Sequence, residues 1–466
     1  MRYVSTRGSA PTLGFDDVLL TGLARDGGLY VPQTWPRFTA GEWQKLAGRS
    51  YAEIAFRILQ PYVGRAIAGT DLRRMIEESY RQFGHPAVVP LTQIGANDWL
   101  LELFHGPTLA FKDVALQLVG RLFDHVLKKR RTRVTIVVAT SGDTGSAAIE
   151  ACRDRDAIDI FVLHPHGRVS EVQRRQMTTV PAANVHNIAL QGTFDDCQDL
   201  VKAMFNDTAF RDRVQLSAMN SINWARIAPQ IVYYAVAALR LGAPARPVAF
   251  CVPTGNFGNI FAGYAAQRMG LPIQRFVVGS NRNDILFRLL ESGTMKMEGV
   301  APTLSPSMDI QVSSNFERLL FELAGRKGKA VTAMMDSFRK DRQLKLPPAQ
   351  RARLNRLFVG ARADDAETMA MIRLTLEATG QLVDPHTAVG LAAAAARRGD
   401  RAIPMVTAAT AHPAKFPDAV EKACGVRPGL LPRLAGLMDK PERVAVLPND
   451  LAAVQDFIAG KARVAA

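Results

Sequence analysis

The sequence predicts an α/β protein whose core is buried parallel sheet. Three observations predict it. Short apolar and β-branched runs recur along the chain with little polar alternation, as in strands covered on both faces. Patterns of helical period stand between them, which parallel strands need for their crossovers. Loops rich in glycine and threonine join several of the runs to the next helix, where α/β proteins bind anions.

In chain order, Thr39 or Gly41 before Glu42-Trp43 marks a helix start, and Asp71-Leu72-Arg73-Arg74-Met75-Ile76 marks another. These short patterns, rich in turn residues, set off 1–95 as an N-terminal domain with no identifiable chemistry. From 96 to 466 the rhythm is strand, loop, helix. Val114, Leu118, Leu122 and Val126 recur every fourth residue, with Ala115, Val119, Phe123 and Leu127 beside them. They predict a helix from Asp113 to Lys128-Lys129-Arg130-Arg131, where cations suit the negative end of the dipole. Strands are predicted at 134–138, 160–163, 187–190, 248–252, 275–278 and 404–407. Pro347-Pro348 reads as a loop break, and the alanine run 392–396 as helix. Within 96–466 the expected division is a smaller mobile subdomain at about 125–215, a larger one at about 216–435, and a C-terminal extension at 436–466.

The 466 residues, 48% hydrophobic and 22% charged, are ordinary for a globular chain of two or three domains. No apolar run reaches the length of a membrane span, and the N-terminus has no signal-like apolar stretch. A cytoplasmic protein with no membrane partner is expected. The four cysteines, at 152, 197, 251 and 424, lack metal-finger spacing and read as reduced structural thiols. The eight histidines contain no HExxH. His164 and His166, around a proline, read as loop, so no metal is expected. A net charge of +15 raises the question of nucleic acid. The densest basic group, 339–356, has no interleaved aromatics and reads as a solvated helix or linker. No nucleic-acid partner is expected; the charge suits steering of phosphorylated small molecules.

Lys112 follows Leu109-Ala110-Phe111 and stands at the start of the helix. Apolar walls and the positive end of a helix both disfavour its ammonium form. Such a lysine can form a Schiff base; a surface lysine opening an ordinary helix has the same local pattern. Gly255-Asn256-Phe257-Gly258-Asn259 fits a phosphate cradle and a tight strand–helix turn equally well. Thr140-Ser141-Gly142-Asp143-Thr144-Gly145 offers hydroxyls and amides to a second anion, or a helix capped by Asp143 or Thr144. Asn220 to Arg226 places two amides and an arginine together, which suits a phosphate or a capped helix.

Together with Ala409-Thr410-Ala411-His412-Pro413-Ala414-Lys415-Phe416, the runs at 105–113, 139–145, 220–226 and 253–259 resemble the threonine synthase family. Tyr3-Val4-Ser5-Thr6-Arg7-Gly8 and Gly27-Gly28-Leu29-Tyr30-Val31-Pro32 extend the resemblance almost to the N-terminus. It implies a tryptophan-synthase-β-like fold of type II with pyridoxal 5'-phosphate as cofactor. It gives Lys112 the Schiff base and the catalytic proton transfers. Gly255, Asn256, Phe257, Gly258 and Asn259 would hold the cofactor phosphate, Thr410 its ring nitrogen, and Asp143 would lie near its phenolic oxygen. Some branches of the superfamily have asparagine where this chain has Asp143. Thr140, Ser141 and Thr144 would bind substrate, with Asn220 and Arg226 on its phosphate. Asp384-Pro385-His386-Thr387-Ala388 is another family-like run and reads as a helix entry near the site.

The implied reaction is γ-elimination and β-addition, turning O-phospho-L-homoserine and water into L-threonine and phosphate. The expected assembly is a monomer or homodimer. Two other readings stay open at this point. One is a phospho-lyase or serine/threonine dehydratase on the same cofactor, giving a 2-oxo acid. The other is a polyanion-binding protein without activity.

Overall fold

All six predicted strands lie in two parallel-rich sheets. The computed structural model describes residues 1–217 and 219–463. The larger sheet has the order Phe358–Arg362, Ile273–Ser280, Val248–Pro253, Met405–Ala409, Asp98–Glu102, Leu91–Gln93. Its pairs are parallel except the last, where Leu91–Gln93 runs antiparallel at the edge. The smaller sheet has the order Ala445–Pro448, Val185–Gln191, Ile158–Pro165, Val134–Ala139, Leu216–Ser217, all parallel. Every residue of Val248–Pro253 and of Ile158–Pro165 is buried, which explains the unbroken apolar runs at 248–252 and 160–163.

The two sheets interleave along the chain. After Asp98–Glu102 the chain forms the helix Lys112–Arg130, builds most of the smaller sheet, and returns through the helix Trp224–Arg240. The C-terminal segment goes back to the smaller sheet. Ala445–Pro448 adds an edge strand, and Val454 and Ile458 of Leu451–Lys461 bury beside Phe161 and Leu190. Arg463 then closes on the buried Asp159, 2.6 Å away.

The N-terminal region packs on the larger unit. Thr39 caps Ala40–Gln44 in a reciprocal box with Glu42, and 71–76 falls within Gly69–Arg81. Tyr3 and Tyr62 meet the ring of Trp224, with centroids at 6.1 and 5.5 Å. Arg7 pairs with Glu317 at 3.0 Å, both buried.

Three local readings need correction. The helix after Phe111 begins at Lys112, one residue before the expected start. Pro347-Pro348 opens the helix Pro348–Asn355, because a proline at the first helical position needs no amide hydrogen. His164 is no loop residue: it is buried inside Ile158–Pro165 and pairs with Ala189. Among the described residues no cluster of His, Cys, Asp or Glu could hold a metal, and no helix is long and apolar enough to cross a membrane. All four cysteines are free.

Loops at the C-terminal ends of Asp98–Glu102, Val134–Ala139, Val248–Pro253 and Met405–Ala409 carry most of the residues singled out above. Ligands of open α/β sheets bind at that edge.

Candidate active site

The approach to Lys112 is zipped to the strand end that carries Thr410. Phe111 N donates to Thr410 O at 2.8 Å, and His412 N to Leu109 O at 3.0 Å. Behind it, Asp113 accepts from both the amide and the hydroxyl of Thr108, each at 2.7 Å. Burial pushes the Asp113 carboxyl up to about 6, against the lowering effect of the Thr108 hydroxyl and of Lys415.

Lys112 itself is buried. Its Nζ donates to Asp143 Oδ2 at 2.9 Å and reaches Ser307 Oγ at 3.5 Å. Burial lowers its proton affinity; Asp143 opposes that, and the nearby cations Lys415 and Arg226 add to it. Burial alone would raise the Asp143 carboxyl. Lys112 and Lys415 outweigh it and hold Asp143 well below the usual carboxylate range.

Asp143 opens the helix Asp143–Cys152 but does not cap it. Thr140 builds the turn instead, its hydroxyl accepting from Gly142 N and Gly145 N, both at 2.9 Å. The capping alternative is therefore set aside: the Asp143 carboxylate faces Lys112, Lys415 and Gln173, the last at 2.9 Å. Gly142 has φ 137°, and a Cβ there would lie 2.5 Å from the Gln173 side chain. Ser141 and Thr144 remain partly exposed, with hydroxyls that bond to nothing among the described residues.

The turn at Gly255 leads into the helix Gly258–Arg268. A Cβ on Gly255 would stand 3.0 Å from Ser307 O, so the two backbones approach closely there. Ser307 thereby links this turn to Lys112. Phe257 is left-handed and buries its ring against Phe316 and Phe358. Asn259 accepts from the Tyr233 and Tyr234 hydroxyls, and its buried Nδ2 has no partner among the described residues. Phe257 and Asn259 thus anchor the turn with their side chains; what the turn offers an anion is its backbone amides and the helix end. The Asn256 side chain is exposed.

Arg226 lies in the first turn of Trp224–Arg240, which Asn223 caps. It is buried, no carboxylate pairs with it among the described residues, and its Nε has no partner there. Burial pushes its pKa down to about 10. Asn220 is exposed; its carbonyl accepts from Asn223 N at 3.3 Å. Thr410 is buried, and no hydrogen bond of its hydroxyl occurs among the described residues.

Sequence reasoning missed four groups here. Gln173 and Ser307 gave no local signal. Lys415 lay inside a quoted run, yet it is fully buried and pairs with Asp143 Oδ1 at 2.9 Å. His386 bonds through Nδ1 to Asp384 at 2.7 Å and accepts from Ser307 N at 3.2 Å through Nε2. That second bond requires the tautomer with the proton on Nδ1.

A buried amine, a glycine turn at a helix end and a buried guanidinium with no carboxylate partner among the described residues suit a phosphorylated aldehyde cofactor with an anionic substrate. Comparison with known proteins bears on the same point. The family model "Pyridoxal-phosphate dependent enzyme" matches residues 86–340. "Threonine synthase N terminus" matches 2–80, and "Threonine synthase, C-terminal" matches 387–458.

The chain belongs to the threonine synthase family.

A threonine synthase of Pseudomonas aeruginosa is 57% identical over 459 residues, covering 98% of each chain. That of Saccharomyces cerevisiae is 40% identical, over 96% of this chain and 92% of its own. The crystal structure of a pyridoxal-phosphate-bound threonine synthase from Brucella melitensis superposes with a TM-score of 0.98 at 55% identity, covering both chains completely. The yeast threonine synthase structure gives 0.94 at 38%, covering 99% of this chain and 98% of its own. The type II pyridoxal-phosphate fold and the lyase class of the threonine synthases follow for this chain.

Proposed function

We propose that the protein converts O-phospho-L-homoserine and water to L-threonine and phosphate, using pyridoxal 5'-phosphate. One observation carries this reading. The buried amine of Lys112 stands within electrostatic reach of a buried arginine that no carboxylate neutralises among the described residues, while Ser307 links it to a separate glycine turn at a helix end. Two anion sites around this amine suit a phosphorylated cofactor and a phosphorylated substrate.

In this reading Lys112 anchors the cofactor, the amides of 255–259 take its phosphate, and Thr410 offers a hydroxyl to its ring nitrogen. Asp143 stays ionised beside Lys112. Bound there, pyridoxal phosphate supplies an electrophilic carbonyl and an electron sink. The protein supplies position and proton transfer. Arg226, with Asn220, holds the substrate phosphate that leaves from Cγ, and a planar guanidinium suits its oxygens. Thr140, Ser141 and Thr144 hold the substrate's other polar end. Lys112 removes the Cα proton and moves protons at Cβ; its burial favours the neutral amine this needs.

Incubation of purified protein with O-phospho-L-homoserine, followed by assays for threonine, 2-oxobutyrate and phosphate, tests the proposal. Equal amounts of threonine and phosphate are expected. 2-Oxobutyrate in place of threonine would assign the phospho-lyase reaction instead. Binding without any product would favour the polyanion-binding reading.

A further inference from the structure

The Asp143 carboxylate serves two ammonium groups. Lys112 holds Oδ2 and Lys415 holds Oδ1, each at 2.9 Å. Lys415 ends the short turn Pro413–Lys415, just past Thr410, and is completely buried. Its other bonds go to neutral acceptors, Thr108 O at 2.7 Å and Gln176 Oε1 at 3.2 Å. All three donors of the ammonium are therefore used, and Asp143 is its one carboxylate partner among the described residues. Burying a second ammonium at this place is costly unless it is so paired.

We propose that Lys415 is a positioning residue: it pins Asp143 from the side opposite Lys112, so that the Lys112 amine is held in place without being held charged. The proposal rests on Lys112 being the cofactor lysine.

The charges around the pair support it. Lys112 faces Asp143 from one helix and Lys415 from the turn after Met405–Ala409, while Arg226 of Trp224–Arg240 acts on Lys112. His386 faces Asp143 from Pro385–Ala396, with Nε2 occupied by Ser307 N. Asp113 acts on Lys415 from the helix that begins at Lys112. With Lys415 and Arg226 both present, the cations outnumber the ionised carboxylate that faces them directly. Without Lys415, Asp143 would face Lys112 as a full counter-charge and keep it protonated. With Lys415, the carboxylate also keeps a fixed partner when Lys112 gives up its charge.

The test uses the full-length protein stripped of cofactor with hydroxylamine. Acetic anhydride labelling of Lys112 is followed by peptide mass across a pH series. In Lys415→Gln, the midpoint of Lys112 labelling should move to higher pH, with labelling near pH 8 slowed about tenfold, as one unit of pKa implies. Lys415→Arg should restore the wild-type midpoint. Lys415→Met replaces the Gln variant if that one does not fold, with the same expected shift. An unchanged midpoint in a folded neutral variant, or failure of arginine to restore it, would overturn the role of Lys415. Borohydride fixation of the cofactor on another lysine would remove the underlying assignment of Lys112 instead.

Discussion

Lys112 Nζ lies 2.9 Å from Asp143 Oδ2, one residue following a strand of the larger sheet and the other a strand of the smaller. This buried contact ties the two sheets together at the proposed site. Removing one partner of a buried pair leaves an uncompensated charge, at a cost of about 3–5 kcal/mol. Asp143→Ala should therefore lower the stability of cofactor-free protein by about that amount near neutral pH. The stranded ammonium groups then titrate lower in the folded than in the unfolded chain. The loss should shrink as pH rises toward the ordinary lysine range, because the folded state gains once they are neutral. Urea unfolding at several pH values checks both points; a variant as stable as wild type would show that the pair contributes nothing.

Arg226→Ala should separate substrate from cofactor. A charged hydrogen bond to phosphate is worth about 1.5–3 kcal/mol, roughly a 10- to 150-fold loss in kcat/KM. Cofactor content should stay at the wild-type level. Arg226→Lys should recover little, since an ammonium lacks the planar fork. Loss of cofactor in the alanine variant would move Arg226 to the cofactor phosphate.

Asp113 gives a pH signature of stability. Its folded pKa is raised to about 6. Its contribution is thus fully present below the ordinary aspartate pKa and is lost as pH rises through 6. Ionising it in place costs about 3 kcal/mol relative to the unfolded chain. Between about pH 4 and 7, wild type should lose that much stability relative to Asp113→Asn, which cannot ionise. Parallel stability curves for the two proteins would contradict the assignment.

Thr410→Asp should alter the electronics of the bound cofactor. A carboxylate at the ring nitrogen favours its protonation, where a hydroxyl does not. Persistent long-wavelength absorbance and more side products are expected on adding substrate. A wild-type spectrum and product ratio would show that residue 410 does not face the ring.

How much of this was legible in the sequence follows from where each contact partner lies. Val248–Pro253 and the centre of Ile158–Pro165 were readable because full burial leaves an unbroken apolar run at 248–252 and at 160–163. Asp98–Glu102 and Phe358–Arg362 were not, being short and ending in charged residues. Lys112 was readable because the four-residue period after it fixed a helix start within one residue. Asp143 and Thr144 looked like caps, since local sequence cannot show that the Asp143 carboxylate meets Lys415, far along the chain. Nothing next to Lys415 in the sequence shows that the fold closes over it. Ser307 enters only through a loop whose place is set by the turn at Gly255 and by His386.

The central claim is that Lys112 is the amine to which the cofactor binds. Borohydride reduction of the purified protein, followed by peptide mapping, tests it most directly. The account predicts a pyridoxyl label on Lys112 alone, with no label in Lys112→Ala and a fall in turnover of several powers of ten, as loss of a covalent catalyst and base entails. A label on any other lysine, or one that persists in Lys112→Ala, would contradict it.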